Sequence, residues 1–151
     1  MAGGHELNRD IDVDLGGIFG AIWRNKVRLI TVGGAGGQID PGLIRVADLA
    51  RTEHDPLLAK VRKQLRTRYG FSRNLSRRFD VPCVYSSEQL LFKTETGEVL
   101  RDKSRADVNS GLSCAGGLGS ATHTTATFAF HATAHVLKKL ADSASVYAAN
   151  Q

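Results

Sequence analysis

Glycine, cysteine, histidine and a run of basic residues are the groups in this 151-residue chain whose types and spacing suit chemistry. Gly33-Gly34-Ala35-Gly36-Gly37 packs four glycines into five residues, directly after the apolar run Leu29-Ile30-Thr31-Val32. A second cluster, Gly116-Gly117-Leu118-Gly119, leads into Ser120. Glycine-rich segments cradle phosphate when they present backbone N–H groups at a helix N-terminus. The P-loop form adds Gly-Lys-Ser/Thr, whereas Gln38-Ile39-Asp40-Pro41-Gly42 comes next here, which is turn chemistry without a lysine. The first cluster therefore reads as a strand-ending loop in which glycine permits positive φ or close backbone packing. The second resembles the end of a dinucleotide fingerprint. The Asn109-Ser110-Gly111-Leu112-Ser113 stretch before it is no strand, so it reads as the start of a helix.

Cys114 stands just ahead of that final helix, where a helix dipole favours the thiolate and hence reactivity. Cys83, between Pro82 and Val84, reads as a core thiol. With no C-x-x-C spacing, the pair suggests reduced thiols in an intracellular protein rather than a disulfide framework or a zinc site. His131 and His135 are spaced i, i+4, with His123 two turns earlier. Lacking the Glu of H-E-x-x-H, they are expected to be packed or hydrogen-bonded helix residues, not metal ligands. Lys60, Arg62, Lys63, Arg66, Arg68, Arg73, Arg77 and Arg78 form a stretch without an acidic residue, interleaved with Tyr69 and Phe71. That pattern suits phosphate contacts and base stacking, or a solvated basic helix face.

These groups need a scaffold, and 42% apolar residues in a chain of this length suit one α/β domain. Lys and Arg outnumber Asp and Glu by 20 to 15, a formal charge of +5 that favours contact with polyanions. No apolar run reaches the roughly 20 residues of a membrane span, and the N-terminus lacks the basic-then-apolar order of a signal peptide. Cytoplasm is the expected compartment. The pattern predicts a short helix over 18–24, a buried strand over 27–32 and another over 44–49. Asp55-Pro56 is a helix start, and Leu57, Leu58, Val61 and Leu65 continue at helical spacing. Short strands are expected over 81–85 and 89–93, with a hairpin turn over 94–98 leading to Val99-Leu100 and a polar loop over 102–113. The last helix is expected over 120–139, apolar through Ala126, Phe130, Ala134 and Leu137, and closed by Lys138-Lys139.

Taken together, "RNKVRLITVGGAGGQIDPGLIRVADLARTEHDPLLAKVRKQLR", "VPCVYSSEQL" and "SCAGGLGSATHTTATFAFHATAHVLKKL" resemble the C-terminal half of the bacterial tRNA threonylcarbamoyladenosine dehydratases. These are relatives of the ThiF and MoeB adenylyltransferases in the ubiquitin-activating-enzyme-like superfamily. The resemblance covers residues 24–140, and it divides the chain into a divergent lead-in, 1–23, and the C-terminal part of a ThiF-type, Rossmann-like adenylating domain with a mixed sheet, 24–151. It implies ATP and magnesium as cofactors, activation of the threonyl carboxylate at tRNA position 37, cyclisation with loss of water, tRNA as partner and a homodimer. The glycines Gly33, Gly34, Gly36 and Gly37 are then a family signature near the nucleotide, shaping the floor of the site. Cys114 takes the position of a reactive thiol or sulfur acceptor, with a cysteine desulfurase as a sulfur-relay partner. Lys60, Arg62, Lys63, Arg66, Arg73, Arg77 and Arg78 become the tRNA contacts. Asp10 falls at the distance of the family's metal-binding Asp, although Asn8-Arg9-Asp10-Ile11-Asp12 matches poorly around it. The family's N-terminal fingerprint, ribose contact and phosphate-binding cations have no counterpart here, so a truncated member is expected. The alternatives are an adenylyltransferase of a ubiquitin-like sulfur carrier, or a non-catalytic fragment that dimerises or binds RNA.

Overall fold

The computed structural model describes residues 21, 24–90, 92–93, 99–100 and 119–149. Its centre is a three-stranded mixed sheet in the order β1-β3-β2. β1 (Thr31–Val32) runs parallel to β3 (Pro82–Ser86), with Thr31 opposite Cys83 and Val32 opposite Val84. β2 (Ile44–Asp48) runs antiparallel to β3, from Ile44 opposite Ser86 to Asp48 opposite Pro82. A two-stranded hairpin joins β4 (Phe92–Lys93) to β5 (Val99–Leu100).

Helix α1 (Pro56–Arg68) starts where the sequence places it. The Asp55 side chain accepts from the Leu58 N–H at 2.9 Å, and proline occupies the first turn, where its missing N–H costs nothing. Gly70, at φ +73°, turns the chain away, and the Phe71 N–H returns to the Leu65 carbonyl. Leu58, Val61 and Leu65 bury one stripe against Leu49, Phe71, Phe79, Val81, Cys83 and Tyr85. Because strand side chains alternate, Val84 points to the other face of the sheet. There it packs with Ile44 and with Phe128 of helix α2 (Thr122–Ala149). The result is three layers, a helix on each face of the sheet.

Four expectations change. The strand expected over 27–32 is confined to Thr31–Val32, and Val27 is exposed. The register that sets Thr31 against Cys83 runs out of partner upstream, because β3 begins at Pro82. Of the strand expected over 89–93, Phe92–Lys93 is strand and residues 89–90 are not. Helix α2 runs ten residues past Lys139, where Lys138 pairs with Asp142 at 3.6 Å instead of closing the helix. Its buried row is also different from the expected one. Phe128 is 2% exposed with Ala132 beside it, whereas Phe130 and Leu137 are 71% and 61% exposed. Both faces of α2 are apolar, and the one that meets the sheet pairs a single ring with an alanine, which allows close approach. Of the helix expected over 18–24, residues 21 and 24 are helical, and the rest lies outside the described residues, as do the 94–98 turn and the 102–113 loop.

Candidate functional site

In open α/β sheets ligands bind beyond the carboxyl ends of the parallel strands, and at that end of β1 the first glycine cluster meets Gly119, the last residue of the second. The Gly37 N–H donates to the Gly119 carbonyl at 3.3 Å, and Gly36 and Ser120 form an antiparallel bridge. The start of α2 is fastened to the same loop. Thr124 Oγ1 donates to the Gln38 carbonyl at 3.3 Å, and His123 Nε2 lies 2.9 Å from the Ile39 carbonyl. Gln38 is buried, and its Oε1 has no hydrogen-bond partner among the described residues.

The glycines are required by packing. The Gly33 N–H donates to the Val84 carbonyl at 2.8 Å, and the Gly34 N–H donates to Asp55 Oδ2 at 2.8 Å. A Cβ on Gly33 would stand 2.3 Å from that same Oδ2. Gly37 takes a positive φ of +71°. Downstream, the Ile39 and Asp40 N–H groups both donate to Glu88 Oε2 at 3.0 Å. Asp55 therefore clamps the glycine loop to α1, and Glu88 clamps the Ile39-Asp40 turn to the end of β3.

These bonds decide how a nucleotide could sit. A triphosphate needs N–H donors and cations, yet the N–H groups of Gly33, Gly34 and Gly37 are engaged inside the protein. Asp55, Glu88 and Asp40 each accept backbone N–H groups rather than pointing at one metal-sized space. Among the described residues, no three His, Cys, Asp or Glu side chains gather to hold a metal. The described residues therefore do not by themselves fit ATP or magnesium. Asp10 and Cys114 lie outside the described residues.

The basic stretch divides into scaffold and surface. Arg62 turns inward and donates to Thr52 Oγ1; burial, then the neighbouring Arg66, lowers its pKa. Arg66 stacks on the Phe79 ring at 5.0 Å and donates to the Ser72 carbonyl at 3.3 Å. Phe71, expected to stack on bases, is instead buried edge-on against Phe79 at 4.9 Å. Lys60 is half-buried, Lys63 and Arg68 are exposed, and Arg73, Arg77 and Arg78 project from an ordered loop. Asn74 Oδ1 accepts from the Ser76 N–H, and the Arg51 guanidinium donates to the Ser76 carbonyl at 2.7 Å. Arg78 lies 3.8 Å from Asp48, whose buried carboxylate accepts from the Ala50, Phe79 and Val81 N–H groups and so fixes the loop to β2.

Cys83 is fully buried, and burial pushes its thiol up to about 11, which leaves it inert. Tyr85 is raised by the same cause. His131 Nδ1 lies 3.0 Å from the Thr127 carbonyl, as a helix-packed histidine does, and His135 opens onto a cleft. No pattern in the sequence marks Asp48, Asp55 and Glu88 as hubs. The one local cue is Asp55 before Pro56, which reports the helix cap and not the clamp on Gly34.

A parallel strand pair with an antiparallel edge, a helix on each face and a glycine loop at the strand end define part of an adenylating fold of the ThiF type. The chain is homologous to the tRNA threonylcarbamoyladenosine dehydratases. It is 47% identical over 117 residues to that enzyme of Escherichia coli, covering 78% of this chain and 44% of the relative. With the Haemophilus influenzae enzyme the identity is 46%, covering 78% and 42%. The solved structure of TcdA (CsdL) superposes with a TM-score of 0.73 at 40% identity, over 86% of this chain and 47% of that one. E. coli TcdA in complex with ATP gives 0.65 at 38% identity, over 86% and 44%. The chain thus spans less than half the length of the curated relatives it matches. No protein-family model matches it. Among the described residues no helix is long and apolar enough to cross a membrane.

Proposed function

We propose that this chain is the C-terminal, tRNA-facing part of an ATP-dependent tRNA threonylcarbamoyladenosine dehydratase. The identity of 46–47% to two such enzymes carries the reading. The part present here contributes the glycine floor, the clamped start of α2 and a basic loop for tRNA phosphates. ATP and magnesium are bound mainly by residues that this chain's described part does not supply. ATP makes the hydroxyl of the threonyl carboxylate a good leaving group, and an attack on the activated carbonyl then closes the ring with net loss of water. Cys114 is proposed as a reactive thiol beside that chemistry. A second copy of the chain is proposed to cover the exposed face of α2.

The test is reconstitution. The 151-residue chain is mixed with ATP, magnesium and threonylcarbamoyladenosine-containing tRNA, with and without the N-terminal half of the E. coli enzyme supplied as a separate polypeptide. Cyclic product, detected by nucleoside mass spectrometry, is expected in the mixture of both polypeptides and not with the N-terminal half alone. Failure of the mixture, where the intact E. coli enzyme turns over, would count against the reading.

A further inference from the structure

Helix α2 carries a pattern that its packing does not require. Positions 128, 132, 135, 139 and 143 fall within about 80° of one another around a helix, at 100° per residue. Phe128 and Ala132 on this line meet the sheet, so the line should continue apolar. It continues instead as His135, Lys139 and Ser143. These residues descend toward the end of the sheet where β3 begins, opposite to the 33–37 glycine loop, and there His135 and Lys139 form one wall of a cleft of about 240 Å³. Residues 46–48 and Pro82 make its floor, and Arg78 and Asp80 its other wall. One turn beyond Lys139, Arg28 donates to Ser143 Oγ at 3.2 Å and adds another cation to the same line.

The charges of the cleft are unequal in what they have left to offer. The Asp48 carboxylate is buried and accepts three backbone N–H groups, so its oxygens are engaged. Arg78 is 68% exposed at its side chain and meets Asp48 only loosely, with its Nε at 3.8 Å. Lys139 is exposed and has no acidic partner among the described residues, whereas its neighbour Lys138 is paired with Asp142. Asp80 is the opposing group, exposed and held at φ +57°.

We propose that this cleft seats a phosphodiester group of the RNA strand between Arg78 and Lys139, with the His135 ring as a further donor. It joins α2 to the loop bearing Arg73 and Arg77, so the basic surface extends across two elements to the end of the sheet remote from the adenylating end. The inference rests on the tRNA reading above. It adds α2 to the RNA surface, and it makes Asp80 an electrostatic brake on binding.

The test measures anisotropy of a fluorescein-labelled anticodon stem–loop RNA across a tenfold range of salt for the full chain, K139Q and D80N. Each phosphate contact accounts for about 0.7–0.9 of the log–log salt slope. K139Q is therefore expected to lower the slope by that amount and to weaken binding about fivefold at the low-salt end. D80N, in which Asn suits the positive φ, is expected to tighten binding about twofold to fivefold, which no merely structural role of the residue would produce. ATP binding, measured in parallel with the N-terminal half of the E. coli enzyme added, is expected to be equal for wild type and K139Q. RNA binding unchanged in K139Q and D80N while R73Q/R77Q weakens it would overturn this site and leave the tRNA reading standing. No RNA binding by the wild-type chain would overturn both. A loss confined to ATP binding would assign the cleft to a nucleotide and overturn the strand.

Discussion

Replacing Gly33 by alanine tests the clamp at the head of the glycine loop. The new Cβ would lie 2.3 Å from Asp55 Oδ2 and 3.0 Å from Leu58 Cδ1. Asp55 cannot swing away cheaply, because it is 4% exposed and accepts from both the Gly34 and Leu58 N–H groups. Displacing it removes the cap of α1, which costs about 1 kcal/mol. The inward-facing Gly34 N–H then loses its partner, at about 1–3 kcal/mol. The expected destabilisation is thus about 2–4 kcal/mol, a fall in melting temperature of roughly 5–15 °C for a chain of this size. Urea titration monitored by far-ultraviolet circular dichroism measures it. Since the penalty runs through one carboxylate, G33A should cost far less in a D55A background, and a double-mutant cycle isolates that coupling. A G33A loss below about 0.5 kcal/mol, or full additivity with D55A, would refute the clamp.

Cys83 gives a pH-dependent signature. Its pKa is raised from 9.0 to about 11 in the folded state, so the native protein favours the neutral thiol and the unfolded chain ionises first. Its contribution is fully present below pH 9 and is lost as the pH climbs toward 11, at most about 2–3 kcal/mol; the alkaline loss of stability in urea titrations should shrink in C83A, and an equal loss would exclude the thiol as its source. In the native state a thiol reagent at pH 8 should leave Cys83 untouched and modify it only on unfolding. The exposed row of Phe130, Val136, Leu137 and Leu140 lies on one side of α2, and the wild type is expected to sediment as a dimer and the F130E/L137E variant as a monomer, with unchanged melting of the monomer. Identical sedimentation of the two proteins would remove the second copy from that face.

The legible parts of the fold were those written locally. Asp55-Pro56 and the Leu58, Val61, Leu65 spacing specify α1 without help from the rest of the chain, and Val81 to Tyr85 reads as a buried strand because it is covered on both faces. Which face of α2 turns inward was not legible, since 126/130/134/137 and 128/132 both offer apolar residues and the choice depends on how closely the helix can approach Ile44 and Val84. Strand length failed for the same reason: Val27 to Ile30 look like strand, but pairing needs a partner at that level, which Pro82 ends. The basic stretch shows the limit of counting charges. Arg62 and Phe71 have the right types for RNA, yet the fold commits one to Thr52 and the other to the core.

The two ends of the sheet divide the labour that the sequence runs together. At the carboxyl end of β1, the glycine N–H groups, Asp55 and Glu88 are consumed in holding the loop to α1 and to β3, so this end supplies rigidity and shape rather than charge. At the start of β3, Asp48 is consumed in the same way, but there its bonds to the Phe79 and Val81 N–H groups fix a loop whose cations remain exposed. Buried carboxylates serve both ends as anchors, since a desolvated charge is tolerated where backbone donors satisfy it. The difference lies in what each anchor positions. Asp55 positions backbone that must stay free of side chains, and Asp48 positions Arg78. A substitution that removed either anchor would be felt as lost stability, but only the loss of Asp48 should also change the salt dependence of RNA binding, because only there does the anchored segment carry the charge.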